Sequence, residues 1–309
     1  MKENVYQRPA AVTLLALLCC AMWGSAFPCI KLGYAMMNIS GAGSQLLYGG
    51  VRFLLAGLMT LAFARLSRKG PLGLKAGDLP AVCGQGLLQT TAQYVFYYIG
   101  LAHCTSTKSA VINASYTFFA IIFAHFILKG ERMDWRKTLG CLLGFGGIIV
   151  MNMKGPGLGG DVTLIGEGFI LIGSMAYGLG SVTLKILTRR MDATLLTGGQ
   201  LVIGSLVMLV IGFLMGGRLA GWTAASVLLL LYLAAISSVA FTIWGLLLKY
   251  NPVSRVTIFG FSIPVFGICY SAVLLQEQAF TLRNLAALAL VCVGILVVNH
   301  TRPTSRPER

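Results

Sequence analysis

The sequence predicts an all-α integral membrane protein: ten transmembrane helices arranged as two inverted five-helix repeats. Three observations carry that expectation. Of the 309 residues, 57% are hydrophobic and only 11% charged, where a soluble domain carries about 25% charged residues. The apolar residues come in ten blocks of the length a helix needs to cross a hydrocarbon core, about 20 residues. Finally, phrases from the first half return, in order, in the second.

The blocks are 11–32, 44–64, 79–101, 108–128, 136–153, 163–187, 194–215, 223–248, 253–275 and 283–299, numbered here as spans 1 to 10. Short linkers such as "LKGERMDW" separate them and leave no room for a soluble domain. The first block begins like a secretory signal, with a basic start and a small-residue end. Nine more apolar blocks follow, so it reads as a span. The net charge of +15 does not point to nucleic acid, because the basic residues never run longer than two. Eighteen of the 24 Lys and Arg residues fall in linkers and tails on the side of the N-terminus and five on the other, with Arg52 inside span 2. The positive-inside bias therefore predicts cytoplasmic termini, in a bacterial plasma (inner) membrane. The eight cysteines show no metal-type spacing and read as small packing residues.

The internal echo starts with "AMWGSAFPCIK" at Ala21–Lys31, which returns as "MAYGLGSVTLK" at Met175–Lys185. "LLYGGVRF" at Leu46 returns as "LLTGGQLV" at Leu195, Tyr98 as Trp244, and the segment around Glu131 as that around Glu277. The repeat unit is five spans, and an odd number forces the second copy to enter the membrane from the opposite side. Inverted repeats are a common transporter architecture, with the ligand site near the midplane between the halves. The expected halves are residues 1–155 and 156–309.

Ten spans in this order, "MWGSAF" in span 1, "RFLLAGL" in span 2, and Glu131 and Glu277 each introducing a glycine-rich or alanine-rich final span resemble the drug/metabolite transporter superfamily, EamA type. The resemblance implies a helix bundle around a central cavity lined mainly by spans 1 to 4 and 6 to 9, with spans 5 and 10 peripheral. It implies a small organic cargo, ranging in the family over amino acids, other metabolites and drugs.

Candidate site residues follow from polar groups at membrane depth. Arg52 sits near the middle of span 2, where an arginine costs on the order of 2.5–3.5 kcal/mol on insertion scales. It is expected to face the interior, either closing a gate or binding cargo. Gln85, Gln89 and Gln93 recur every four residues in span 3, on a face that continues to Phe96 and Tyr97. Gln89, Gln93 and Tyr97 are candidates for the cavity wall, with helix-to-helix hydrogen bonding as the alternative for the amides. Asn113 and Tyr116 share a face of span 4. Trp23 and Tyr177, repeat-related and each followed by glycine, are candidate walls that would stack on a cargo ring. Trp244 and its counterpart Tyr98 lie nearer span ends, where aromatics anchor at the lipid interface; Trp244 is also a candidate binding residue. Pro28 and Pro264 are candidate hinges.

All nine carboxylates lie in linkers, tails or span ends, with Glu167 the deepest and so the candidate for proton coupling. A proton-coupled exporter of cationic drugs is the alternative reading, and it would keep an acid in mid-membrane. The embedded charge is instead positive. The expected function is therefore a secondary transporter, an exporter of amino acids or related zwitterionic or anionic solutes working by alternating access. Catalytic residues, cofactors and metal ligands are not expected: "GPGLGG" at Gly155–Gly160 follows a membrane helix rather than a strand. Small-residue pairs at Gly140 and Gly144, and at Gly212 and Gly216, suit either a homodimer or packing within the chain.

Overall fold

Every span that the apolar blocks predict has a helix at its centre in the structure, a computed structural model that describes residues 4–67, 75–103, 109, 112–152, 163–275 and 282–299. Glu277, Gly155–Gly160 and the expected boundary between the halves lie outside the described residues. Span 1 is the helix Pro9–Met36, about 42 Å long at 1.5 Å per residue, and span 2 is Ala42–Leu66. Span 3 is composite: Leu79–Gly86, a π turn at Leu87–Ala92, then Gln93–His103. Span 4 contains Tyr116–Ile127 and span 5 is Trp135–Asn152. Span 6 opens with a π turn, Leu164–Gly168, and continues as Phe169–Leu187. Spans 7 and 8 are Ala193–Leu214 and Ala224–Tyr250. Span 9 is broken into Val253–Thr257, a 3-10 turn at Ile258–Phe261, and Ser262–Leu275; span 10 is Leu282–Asn299. The side of the bundle on which span 1 starts is called the near side, and the opposite one the far side.

Capping fixes where the chain turns back. Asp192 accepts hydrogen bonds from the amides of Thr194 and Leu195 and starts span 7. Thr223 and Ser226 exchange side-chain and backbone bonds in a capping box that starts span 8.

Glycine contacts show how the halves are related. A β-carbon at Gly43, early in span 2, would lie 3.0 Å from the carbonyl oxygens of Gly212 and Met215, late in span 7. At Gly57, late in span 2, it would lie 2.8 Å from the amide nitrogen of Val202 and 3.0 Å from Gly198 O, early in span 7. Spans 2 and 7 are therefore antiparallel, backbone against backbone. Spans 5 and 10 repeat the arrangement, with Gly140 close to Gly294 and Gly294 close to Gly144. Each pair consists of one span and its counterpart in the repeat, and two copies whose equivalent helices run oppositely are inverted copies. Without a hydrophobic driving force between helices in lipid, such close approach of small residues is what holds them. Gly140, Gly144 and Gly212 thus serve contacts within the chain, and Gly216 ends span 7 at φ 73°.

The echoed phrase is explained in the same way. A β-carbon at Gly24 would lie 2.6 Å from Phe266 Cβ and 2.9 Å from the amide nitrogen of Gly267 in span 9. At Gly178 it would lie 2.7 Å from Phe119 Cβ and 2.8 Å from the amide nitrogen of Ala120 in span 4. The aromatic–glycine step does one mechanical job twice, seating spans 1 and 6 each on the fourth span of the opposite half. Large apolar side chains such as Phe63, Phe213 and Leu296 point outward, as a lipid-facing surface requires, while Ser174, Ser181 and Ser237 are wholly buried and return their hydroxyls to carbonyls four residues back.

Candidate functional site

The bundle holds a cavity walled by spans 1, 2, 3, 4, 6, 8 and 9. Its residues run from mid-depth, at Trp23, Tyr177, Phe241 and Ile263, to the far half, at Ile30, Arg52, Tyr97, Tyr98 and Asn113. The near half is packed shut: Trp244, Leu247 and Leu248 are buried below Trp23. Spans 5 and 10 contribute nothing to the wall among the described residues and pair with one another at the periphery.

Arg52 is the charged member of the wall and is 3% exposed. Its Nε donates to Ser237 Oγ at 3.0 Å and to Leu233 O at 3.3 Å, both in span 8. Ser237 is held in turn by its own bond to Leu233 O, at 2.7 Å. The guanidinium lies 5.0 Å from the centre of the Phe53 ring, and the Tyr98 phenol faces it. Among the described residues no carboxylate pairs with Arg52; the ion pair the structure shows lies elsewhere, between Lys185 and Glu131. Among the described residues the hydrogen bonds of Arg52 to span 8 run through Nε, which leaves its terminal amino groups to the cavity side and Tyr98. Such a group is stabilised by an anion that approaches with two oxygens in its plane.

Aromatic rings form the rest of the wall. Trp23 meets Trp244 edge-on at 5.0 Å and Phe241 at 5.2 Å, and Tyr116 meets Tyr177 at 4.8 Å, nearly perpendicular. Edge-to-face geometry fixes these rings and presents their faces to the space between them. Several polar atoms of the wall, Trp23 Nε1 and Gln93 Oε1 among them, are buried without a hydrogen-bond partner among the described residues. A buried donor and a buried acceptor in a cavity wall are open to a ligand or a water.

Of the candidates, the structure brings Trp23, Arg52, Gln93, Tyr97, Asn113, Tyr116 and Tyr177 together around this one cavity. Gln89 does not line it. One turn nearer the near side, its Oε1 accepts from Gln85 Nε2 at 2.7 Å, while Gln85 also donates to Gly180 O and accepts from Thr183. These amides stitch span 3 to span 6. Trp244 reaches the cavity only through Trp23, which it supports from below. Tyr98 and Trp244 are each 1% exposed, so the expected lipid-interface position is corrected: both rings are turned inward. Pro28 lies inside an unbroken helix, whereas Pro264 lies in the first turn of the helix that follows the 3-10 turn interrupting span 9. Glu167 caps the far-side start of span 6, its carboxylate accepting from the Thr163 amide at 2.9 Å and hydroxyl at 3.1 Å.

Sequence reasoning missed Tyr94, Phe27, Phe241 and Ile263 in the wall. Tyr94 and Phe241 carry no polar signal beyond that of any buried aromatic; the Phe53–Tyr94 contact at 4.2 Å is a tertiary fact. The π turn in span 3 was also invisible. It holds one residue more than an α turn would, which shifts the register of the echo there and makes Tyr232 the counterpart of Gln85. Tyr232 bonds to Ser25 of span 1 as Gln85 bonds to span 6.

Comparison with known proteins completes the picture. A model of the EamA-like transporter family matches residues 11–153 and again 164–300. The chain is 30% identical to a Bacillus subtilis protein named as an uncharacterized transporter, YvbV, over 90% of this chain and 88% of that one. It is 27% identical to an Escherichia coli protein named as a probable amino-acid metabolite efflux pump, over 92% and 93% of the two chains. A solved crystal structure superposes with a TM-score of 0.80 over 94% of this chain and 98% of the other, at 17% identity, which supports the fold. With ten helical spans, inverted counterparts and a family model matched along nearly its whole length, this multi-pass membrane transporter belongs to the EamA-like transporter family.

Proposed function

We propose that the protein exports a small organic solute carrying a carboxylate, an amino acid or a related zwitterionic or anionic metabolite, by alternating access. The observation that carries this reading is Arg52: a cation buried in the cavity wall, tied to span 8 through Nε, with no carboxylate beside it among the described residues. The cargo carboxylate sits between the terminal amino groups of Arg52 and the Tyr98 phenol. An ammonium, where present, is accepted by Gln93 Oε1 and the aromatic faces, and the cargo's apolar body lies against Trp23 and Tyr177. The printed name of the Escherichia coli relative, a probable amino-acid metabolite efflux pump, agrees with this cargo and direction. A cationic drug finds no acidic partner among the described residues of this wall, which disfavours the alternative of a proton-coupled multidrug exporter.

In this reading residues 1–155 and 156–309 are the two halves that rock against each other, the near side is the cytoplasm, and the membrane is the bacterial plasma membrane. The break before Pro264 is the hinge of span 9, and Pro28 bends span 1 to a lesser degree. The test is a thermal-shift screen of the purified protein against amino acids, organic anions and cationic drugs, followed by liposome flux with each binder. Carboxylate-bearing solutes are expected to stabilise the protein, and Arg52→Leu to weaken that binding by about 10- to 100-fold, the worth of one charge-assisted contact. Stabilisation by cationic drugs alone, or unchanged affinity in Arg52→Leu, overturns the proposal.

A further inference from the structure

The near-side end of the bundle carries a polar knot in which the cavity residues take no part. Glu131, in the linker between spans 4 and 5, and Lys185, near the end of span 6, form an ion pair with Nζ 3.4 Å from Oε1 and side chains only 10% and 13% exposed. Each partner also grips the hairpin that joins spans 8 and 9. Glu131 Oε2 accepts from the Val253 amide at 2.7 Å, at the first residue of span 9. Lys185 Nζ donates to Leu248 O at 3.1 Å and to Asn251 O, at the end of span 8. Asn251 provides a further tie: its Nδ2 donates to Tyr6 O at 2.7 Å, and the Tyr6 ring stacks on Tyr250. The linker after span 4, the end of span 6, the 8–9 hairpin and the N-terminal segment all meet at this point.

Between the knot and the cavity lies a closed seam with unmatched polar atoms. Thr197 is fully buried and Gln200 and Trp244 are 1% exposed, yet Thr197 Oγ1, Gln200 Oε1 and Trp244 Nε1 have no hydrogen-bond partner among the described residues. Buried polar groups are ordinarily paired, and these three would be satisfied as soon as water entered. The seam therefore gains little from its own closure. At its mouth the two halves are joined by the Glu131–Lys185 ion pair and the Glu131–Val253 contact, while Lys185 ties the end of span 6 to the 8–9 hairpin.

We propose that Glu131 and Lys185 are the lock of the near-side gate, which opens once in each transport cycle. The proposal rests on alternating access and is independent of the cargo. An exposed ion pair contributes little, but this one is largely desolvated, and each charge holds backbone groups of the moving hairpin. Removing one partner strands the other in a poorly hydrated site and frees the hairpin to move.

The test uses the full-length protein in detergent with Thr197→Cys as reporter. Its reaction with a hydrophilic maleimide is followed by mass spectrometry of the peptide that contains it, so that the native cysteines do not interfere. Labelling is expected to be slow with the lock intact and at least tenfold faster in Glu131→Gln and in Lys185→Met. Combining the two substitutions should add little, because either one already opens the lock. If those variants fail to fold, Glu131→Asp keeps the charge and shortens the reach, and a smaller rise of about threefold is expected. Wild-type labelling rates in folded variants overturn the proposal. Cargo plays no part in the readout: an unlocked gate with the wrong cargo would still show fast labelling, and active flux with an unreactive Thr197→Cys would refute the lock alone.

Discussion

The two copies of the repeat agree in how they pack and differ in what they expose to the cavity. Gly24 and Gly178 occupy equivalent places and meet equivalent neighbours, one aromatic β-carbon and one backbone nitrogen each. Arg52 and its counterpart Leu201 do not match. The first lines the cavity and is tied to Leu233 and Ser237; the second is a buried apolar side chain in span 7, which contributes nothing to the described wall. The difference teaches that duplication supplied a symmetric scaffold, whereas the cavity wall, and with it the proposed recognition of cargo, is asymmetric, the second half providing aromatic backing and the hydrogen-bond acceptors of Arg52. A site between inverted repeats need not share their symmetry.

The sharpest way to break the comparison is to move the charge. Leu201→Arg places a guanidinium where the protein buries an apolar side chain, and it is expected to destabilise the protein by more than about 3 kcal/mol, read as loss of folded protein or a large fall in melting temperature. Arg52→Leu, by contrast, removes a buried charge and is expected to leave the protein folded while weakening cargo binding. Equal tolerance at positions 52 and 201 would mean that the asymmetry is not chemical.

A smaller and symmetric effect should come from Gly24→Ala and Gly178→Ala. Each added methyl group meets backbone that cannot yield without separating two spans, and each is expected to cost about 1–3 kcal/mol in thermal or denaturant unfolding. The two losses should be similar. If only one of the pair is destabilising, the echoed phrase is not one packing device used twice.

The spans, the inversion and much of the cavity wall were legible in the sequence because each leaves a local signal. Hydropathy marks spans, a repeated phrase marks the copies, and a polar group at membrane depth, such as Arg52 or Gln93, marks an interior face. The rest was not legible for equally physical reasons. Gln89 carries the same signal as Gln93, yet the π turn between Gln85 and Gln93 and the close approach of Gly180 direct it into a helix contact. Tyr98 lies near a span end, where position alone suggests a lipid anchor; only tertiary packing turns it inward. The approach of Lys185 to Glu131 joins residues far apart in sequence. A weak signal did exist, since both residues belong to echoed phrases and both fall on the charged, N-terminal side.

The central claim is that the Arg52 cavity is a transport path reached from the two sides of the membrane in turn. It is tested most directly by Ala26→Cys, a cavity-wall position, labelled with an impermeant thiol reagent applied to intact cells and, separately, to inverted membrane vesicles. Labelling from the far side at rest, and from both sides once a transported carboxylate solute is supplied, is the predicted result. Labelling from one side alone, whatever the solute and however long the turnover, would contradict it.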